Sequence, residues 1–243
     1  MLNVLIACEE SQRVCIEMRK LGHRAFSCDI LPCSGGHPEW HIQGDVLPLL
    51  NGNCTFQTMD GTNHEQGGRW DLIIAFPPCT YLTAASAVRL YGKDHTIKDV
   101  ARYRKGVDAA YFFNAFLNAD CERIAIENPR MLKVFGIRPP DQTIEPYWFG
   151  DPWRKRTCLW LRGLPTLVET NMVEPKGLWV GSTCANRDPT VYTRYELTSI
   201  RNSKTRAKTF PGIARAMAEQ WTAYIENGET EEEQISLFEK EST

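Results

Sequence analysis

Three short runs of unbroken apolar residues set the limits on this fold: VLIA (4–7), LIIA within WDLIIAF (70–76) and IAI within RIAIENP (123–129). Runs of this length and composition read as strands buried on both faces. Pro77-Pro78 ends the second and Pro129 the third, since proline cannot extend a strand ladder. Helical segments fall between and after them. Ser11 is placed to cap a helix through SQRVCIEMRKLG, with Gly22 as its stop. DVARYRKGVDAAYFFNAFLNA (99–119) spaces its apolar residues as a helix does. HRAFSCDI (23–30) reads as a second strand ending in an acid, and RTCLWLRGLP (156–165) as a strand running into a turn. SKTRAKTFPGIARAMAEQWTAYI (203–225) ends in a helix whose apolar face holds Ile213, Met217, Trp221 and Ile225. The polar, Gly-rich stretch from Asn51 to Arg69 reads as a surface excursion. Alternating strands and helices predict an α/β fold, with a mostly parallel sheet covered by helices on both faces.

Such folds bind ligands at the carboxyl ends of their strands. The residues with chemical potential lie at those ends: Cys8-Glu9, Asp29, Asp45, Pro78-Cys79 and Glu127-Asn128. This coincidence points to a single site.

A chain of 243 residues suits one sizeable domain, here 1–225, followed by an acidic tail at 226–243. No apolar run reaches bilayer length, and MLNVLIACEE lacks the basic region of a signal peptide. Nine cysteines without a C-x-x-C pair point to a reducing, cytoplasmic setting. The net charge of −2 hides an asymmetry: the tail has seven glutamates and one lysine, leaving 27 basic against 23 acidic residues in the body. Basic clusters at Arg102, Arg104 and Lys105, at Arg154, Lys155 and Arg156, and at Arg201, Lys204, Arg206 and Lys208 suit phosphate contacts.

AFPPCT (75–80) resembles the Pro-Cys motif of DNA cytosine-5 methyltransferases, and IENPR (126–130) resembles their Glu-Asn motif. PWRKRTCLWL (152–161) is similar to the family's Arg-x-Arg strand, with Arg154 and Arg156 in the arginine positions. SKTRAKTFPGIARAMAEQW (203–221) stands where the closing cofactor motif is expected. The resemblance implies a Rossmann-like class I S-adenosylmethionine-dependent fold and methyl transfer to carbon 5 of a cytosine flipped out of DNA. It departs from the family at Phe76 and Thr80, and in the turn ACEES (7–11), which has no glycine where the family's turn is glycine-rich. The interval that would hold target recognition, at about 162–202, is also short; it carries Trp179, Arg187, Tyr192, Arg194, Tyr195 and Arg201 for stacking and phosphate contact.

The chemistry calls for these residue types independently. Carbon 5 of cytosine becomes nucleophilic only after a nucleophile adds to carbon 6, and a thiolate can do so near neutral pH. Cys79 is the candidate, with Pro78 stiffening its approach. Glu127 would protonate N3, Asn128 would fix the backbone around Glu127 and Pro78, Arg156 would bind the cytosine O2 and favour the thiolate, and Arg154 would support the loop. For S-adenosylmethionine, the candidate set is Ala7, Cys8, Glu9, Glu10, Ser11, Asp29, Ile30, Asp45, Val46 and Pro77. Glu9 or Glu10 would take the ammonium, amides near Ser11 the carboxylate, Asp29 the ribose hydroxyls and Asp45 the adenine amino group.

Cys28, Cys33, His37 and His41 have a spacing compatible with zinc, but the preferred reading is a loop lining the adenine pocket, with no metal. QISLF (234–238) resembles the peptide that docks on replication sliding clamps, with Gln234, Leu237 and Phe238 as anchors. Two rival readings stand beside the main one: an RNA or nucleotide cytosine-5 methyltransferase, and a catalytically silent methyltransferase-like module that binds DNA or a partner.

Overall fold

The computed structural model describes residues 1–175 and 207–228. Most of the recognition-like interval, including Trp179, Arg187, Tyr192, Arg194, Tyr195 and Arg201, lies outside the described residues, as do Lys204, Arg206 and the tail peptide with Gln234, Leu237 and Phe238.

The apolar runs become the centre of a seven-stranded sheet. Its strands are β1 (Asn3–Ala7), β2 (Arg24–Asp29), β3 (His41–Gln43), β6 (Leu72–Ala75), β7 (Ile124–Asn128), β8 (Gln142–Ile144) and β9 (Thr157–Arg162). The order is β3-β2-β1-β6-β7-β9-β8. The first five are parallel, while β9 runs antiparallel to both β7 and β8. Numbered without the side hairpin described below, the parallel part has the order 3-2-1-4-5 of a doubly wound sheet. Its switch point lies between β1 and β6, where the chain departs in opposite directions.

Side chains alternate between the two faces with period two. Val4, Ile6, Leu72 and Ile74 meet α1 (Arg13–Lys20) and the C-terminal helix, here α4 (Pro211–Asn227), through Val14, Met18, Ile213, Met217 and Trp221. Leu5, Phe26, Ile73 and Ile126 pack on the other face against Phe113 and Phe116 of α3 (Val100–Leu117). A short helix, α2 (Ala87–Leu90), precedes α3. The helical stretches expected at 99–119 and at the end of 203–225 therefore form, on opposite faces of the sheet. No helix among the described residues is long and apolar enough to cross a membrane.

Asp99 caps α3 by accepting the Arg102 N–H at 2.8 Å. α4 starts with Pro211 at its first turn and ends at Gly228 in the left-handed region. Gly212 permits a close approach there: a Cβ would lie 1.9 Å from the Phe149 carbonyl oxygen.

One expectation gains detail and one needs correction. Asn51–Arg69 contains an antiparallel hairpin, β4 (Cys54–Gln57) with β5 (Asn63–Gln66), whose Phe56 is buried against Phe26. Ser11 does not cap α1. That helix begins at Arg13 behind Gln12, which has φ 56°, and the capping group is the buried Glu9 carboxyl. Its two carboxyl oxygens accept the Val14 N–H at 2.7 Å and the Cys15 N–H at 3.3 Å. The sequence reading missed this because Glu9 reaches forward over a left-handed turn instead of preceding the helix directly.

Burial raises the Glu9 pKa from the ordinary 4.5 to about 8, with the two amides pulling the other way. A folded-state pKa above the unfolded value means that this group's stabilising contribution is full below pH 4.5 and falls as pH rises towards 8. Glu9→Gln keeps an acceptor for Val14 and removes the titration. The wild type minus variant difference in melting temperature is expected to decline between these limits and to flatten above them. A difference independent of pH in thermal melts would contradict the assignment.

Candidate active site

The parallel strands end together on one edge. Register pairs Ala7 with Ala75 and Ala75 with Ile126. The last link between β1 and β6 is the Phe76 N–H to the Ala7 carbonyl, at 2.9 Å. The chain then leaves the sheet through buried Pro77 and exposed Pro78. Asn128, only 1% exposed, donates from Nδ2 to the Pro77 carbonyl at 2.7 Å. This bond ties the end of β7 to the Cys79 loop. Its amide oxygen is buried with no partner among the described residues.

Cys79 is half-buried, and its carbonyl accepts the Leu82 and Thr83 N–H groups at 3.1 and 3.0 Å. On one side, the loop bonds to the segment after β7: Ala84 N–H to the Arg130 carbonyl and Leu132 N–H to the Leu82 carbonyl, both 2.8 Å. On the other, Arg102 Nη2 donates to the Thr80 carbonyl at 2.7 Å, with its guanidinium 5.0 Å from the Tyr81 ring centroid. The candidate nucleophile therefore stands on a short loop braced from both flanks.

Glu127 precedes Asn128 at the end of β7. Burial pushes its carboxyl pKa up, while Lys155 and the Thr157 hydroxyl favour the charged form. Because β9 is antiparallel and pairs Leu159 with Glu127, residues 154–156 enter it at this same edge. Arg154 and Arg156 are exposed. Arg156 Nε lies 3.9 Å from Glu145 Oε1, and Glu145 Oε2 accepts the Lys155 N–H at 2.8 Å. Burial raises the Glu145 pKa; the Lys155 amide and then the two arginines oppose it.

The remaining candidates gather around the carboxyl ends of β1, β2 and β3. Ala7 is fully buried, and Cys8 has φ 60°. With Gln12, Cys8 supplies left-handed conformations that a glycine-rich turn would provide more readily, so the turn bends sharply without glycine. Burial drives the Cys8 thiol well above its ordinary pKa, helped by Asp29, Cys28 and Asp45 nearby. Cys28 is pushed up to about 12 by burial and the same two acids. Asp29 accepts the Leu31 N–H at 2.9 Å, and exposed Asp45 accepts the Leu47 N–H at 3.0 Å. Ile30 is 75% exposed, whereas Val46 and Ser11 are buried. Glu9 is turned towards the first amides of α1, and Glu10 is the partly exposed acid of this turn.

The cysteine-histidine loop has other commitments. His41 is fully buried between the Ser27 hydroxyl at 2.8 Å and the Leu31 carbonyl at 2.9 Å. His37 stacks on Trp40 with centroids 3.8 Å apart and meets Glu39 at 3.0 Å. No cluster of three potential metal ligands occurs among the described residues.

Sequence reasoning missed the bracing role of Arg102, which it counted only as a basic surface residue, and it missed Glu145 entirely. Arg102 stands at helix position N3 after Asp99, but nothing in sequence signals its long-range bond to Thr80. No family model matches the chain, and no curated protein matches it significantly.

Proposed function

We propose that the chain is an S-adenosylmethionine-dependent DNA cytosine-5 methyltransferase of Rossmann-like class I architecture. The supporting observation is the 2.7 Å bond from Asn128 Nδ2 to the Pro77 carbonyl. It links the candidate nucleophile loop to the candidate acid at the carboxyl edge of adjacent parallel strands.

The residues present suit a bound methyl donor. Asp29 and Asp45 offer hydroxyl and amino acceptors beside a sharply turned β1–α1 segment, and Ile30 offers apolar surface for a purine. When bound, S-adenosylmethionine supplies an electrophilic methyl group on sulfonium sulfur. Cys79, as thiolate, forms a bond from sulfur to carbon 6 of the extruded base. Glu127, its proton affinity increased by burial, delivers a proton to N3, neutralising the negative charge that thiolate addition places on the ring, and is left as carboxylate. Carbon 5, made nucleophilic by this addition, would take the methyl group as its bond to the sulfonium sulfur breaks, leaving the thioether S-adenosylhomocysteine. Loss of the carbon 5 proton to solvent expels Cys79 as thiolate, and the N3 proton returns to Glu127. Arg156, 68% exposed and near Glu145, supplies donors for the base carbonyl, while Arg154 supports the same loop.

Bisulfite sequencing of DNA from cells expressing the protein tests the reading. Expected are protected cytosines at recurring positions, absent in cells expressing Cys79→Ser. Protected cytosines in RNA alone would replace DNA as the substrate; none in either, with cofactor still bound, would favour the silent module.

A further inference from the structure

The helix that would ordinarily receive a ligand carboxylate at this switch point already has acceptors on its first amides. Glu9, 4% exposed, occupies the Val14 and Cys15 amides of α1. A carboxylate bound near the carboxyl end of β1 must find another cation.

One stands nearby. Ser34, in the loop between β2 and β3, donates its N–H to the Glu10 carbonyl at 2.7 Å. Lys208, on the segment leading into α4, donates from Nζ to the Ser34 hydroxyl at 2.9 Å. The same ammonium lies 4.0 Å from Glu10 Oε1, the two side chains being 29% and 22% exposed. The packing fixes this meeting. Gly35 seats against the β1 turn, where a Cβ would fall 2.6 Å from the Gln12 Cβ and 2.8 Å from the Ser11 carbonyl. Phe210, two residues after Lys208, packs near Trp153 with centroids 6.2 Å apart.

We propose that Glu10 and Lys208 form the subsite for the amino-acid end of the methyl donor, Glu10 taking the ammonium and Lys208 the carboxylate, with Ser34 supporting Lys208. The inference rests on the methyl-donor reading above. An α-amino acid carries its two charges on groups attached to one carbon. A half-exposed pair of opposite charges can exchange its mutual attraction for both ligand contacts, leaving neither charge unpaired. The pair itself is partly solvated, so opening it costs little.

Calorimetry on the full chain separates this subsite from the nucleoside pocket. S-adenosylhomocysteine carries the amino-acid end, whereas 5′-methylthioadenosine lacks it. Lys208→Met and Glu10→Gln are each expected to weaken S-adenosylhomocysteine about 10- to 100-fold, the scale of one charge-assisted hydrogen bond. Both should leave methylthioadenosine within about twofold, and Lys208→Arg should restore most of the lost affinity. Equal weakening of both ligands would make the pair a structural strap and overturn the subsite, as would unchanged affinity for both. Wild-type protein that binds neither ligand would overturn the methyl-donor reading and the subsite with it.

Discussion

Cys79→Ser is expected to eliminate methyl transfer, by about 10⁴-fold or more, while cofactor affinity stays at the wild-type level. Serine is close in size, and the loop is held by backbone bonds that do not use the side chain: the Cys79 carbonyl to Leu82 and Thr83, and the Thr80 carbonyl to Arg102. The fold should therefore survive. What disappears is a sulfur nucleophile, replaced by a hydroxyl that is far harder to ionise near neutral pH. DNA containing 5-fluorocytosine adds a second readout. The fluorine cannot leave as a proton does, so the wild-type protein should remain attached to DNA through Cys79. Mass spectrometry locating the adduct at another cysteine would refute the assignment, as would robust methylation by the serine variant.

Cys79 was legible because proline leaves a mark on sequence. Pro77 and Pro78 stop the buried β6 run, which puts the next residue at a strand's carboxyl end. Pro129 marks Glu127 and Asn128 in the same way. The unbroken apolar runs likewise betrayed the buried centre of the sheet, since only two-sided burial favours such composition. Edge structure was less legible. The β4–β5 hairpin is solvated on most positions, so its apolar signal reduces to Phe56 and little else. β8 has three residues, too few for any period. The helix-capping contact of Glu9 was not legible because its partners lie five and six residues ahead across a left-handed turn at Gln12. Glu145 and Lys208 act through contacts 10 and 174 residues away in the chain, distances over which local pattern carries no information.

Glu127→Gln should separate stability from activity. Burial raises the Glu127 pKa, outweighing Lys155 and Thr157, which favour the anion. Its folded pKa thus exceeds its unfolded one, so its favourable contribution is complete below the unfolded pKa and is lost as pH rises through the folded value. The glutamine variant, neutral throughout and nearly the same shape, should gain stability relative to wild type as pH increases across that window. Its methylation rate should nevertheless fall by about 10²–10⁴-fold, because an amide can offer N3 a hydrogen bond but not transfer a proton from a carboxyl group. Cofactor affinity should hold, since the carboxyl would contact the base and not the donor. The rate loss should also remove one limb of the pH–rate profile, whose alkaline side in the wild type reports deprotonation of this group before the base binds. A variant that methylates at the wild-type rate would exclude Glu127 as the acid. One that loses activity and also melts at a lower temperature at alkaline pH would show that the carboxylate stabilises the fold, contrary to the desolvation argument. The expected pairing of higher alkaline stability with lower activity follows if a buried carboxyl is retained for its proton, at the expense of the fold that holds it.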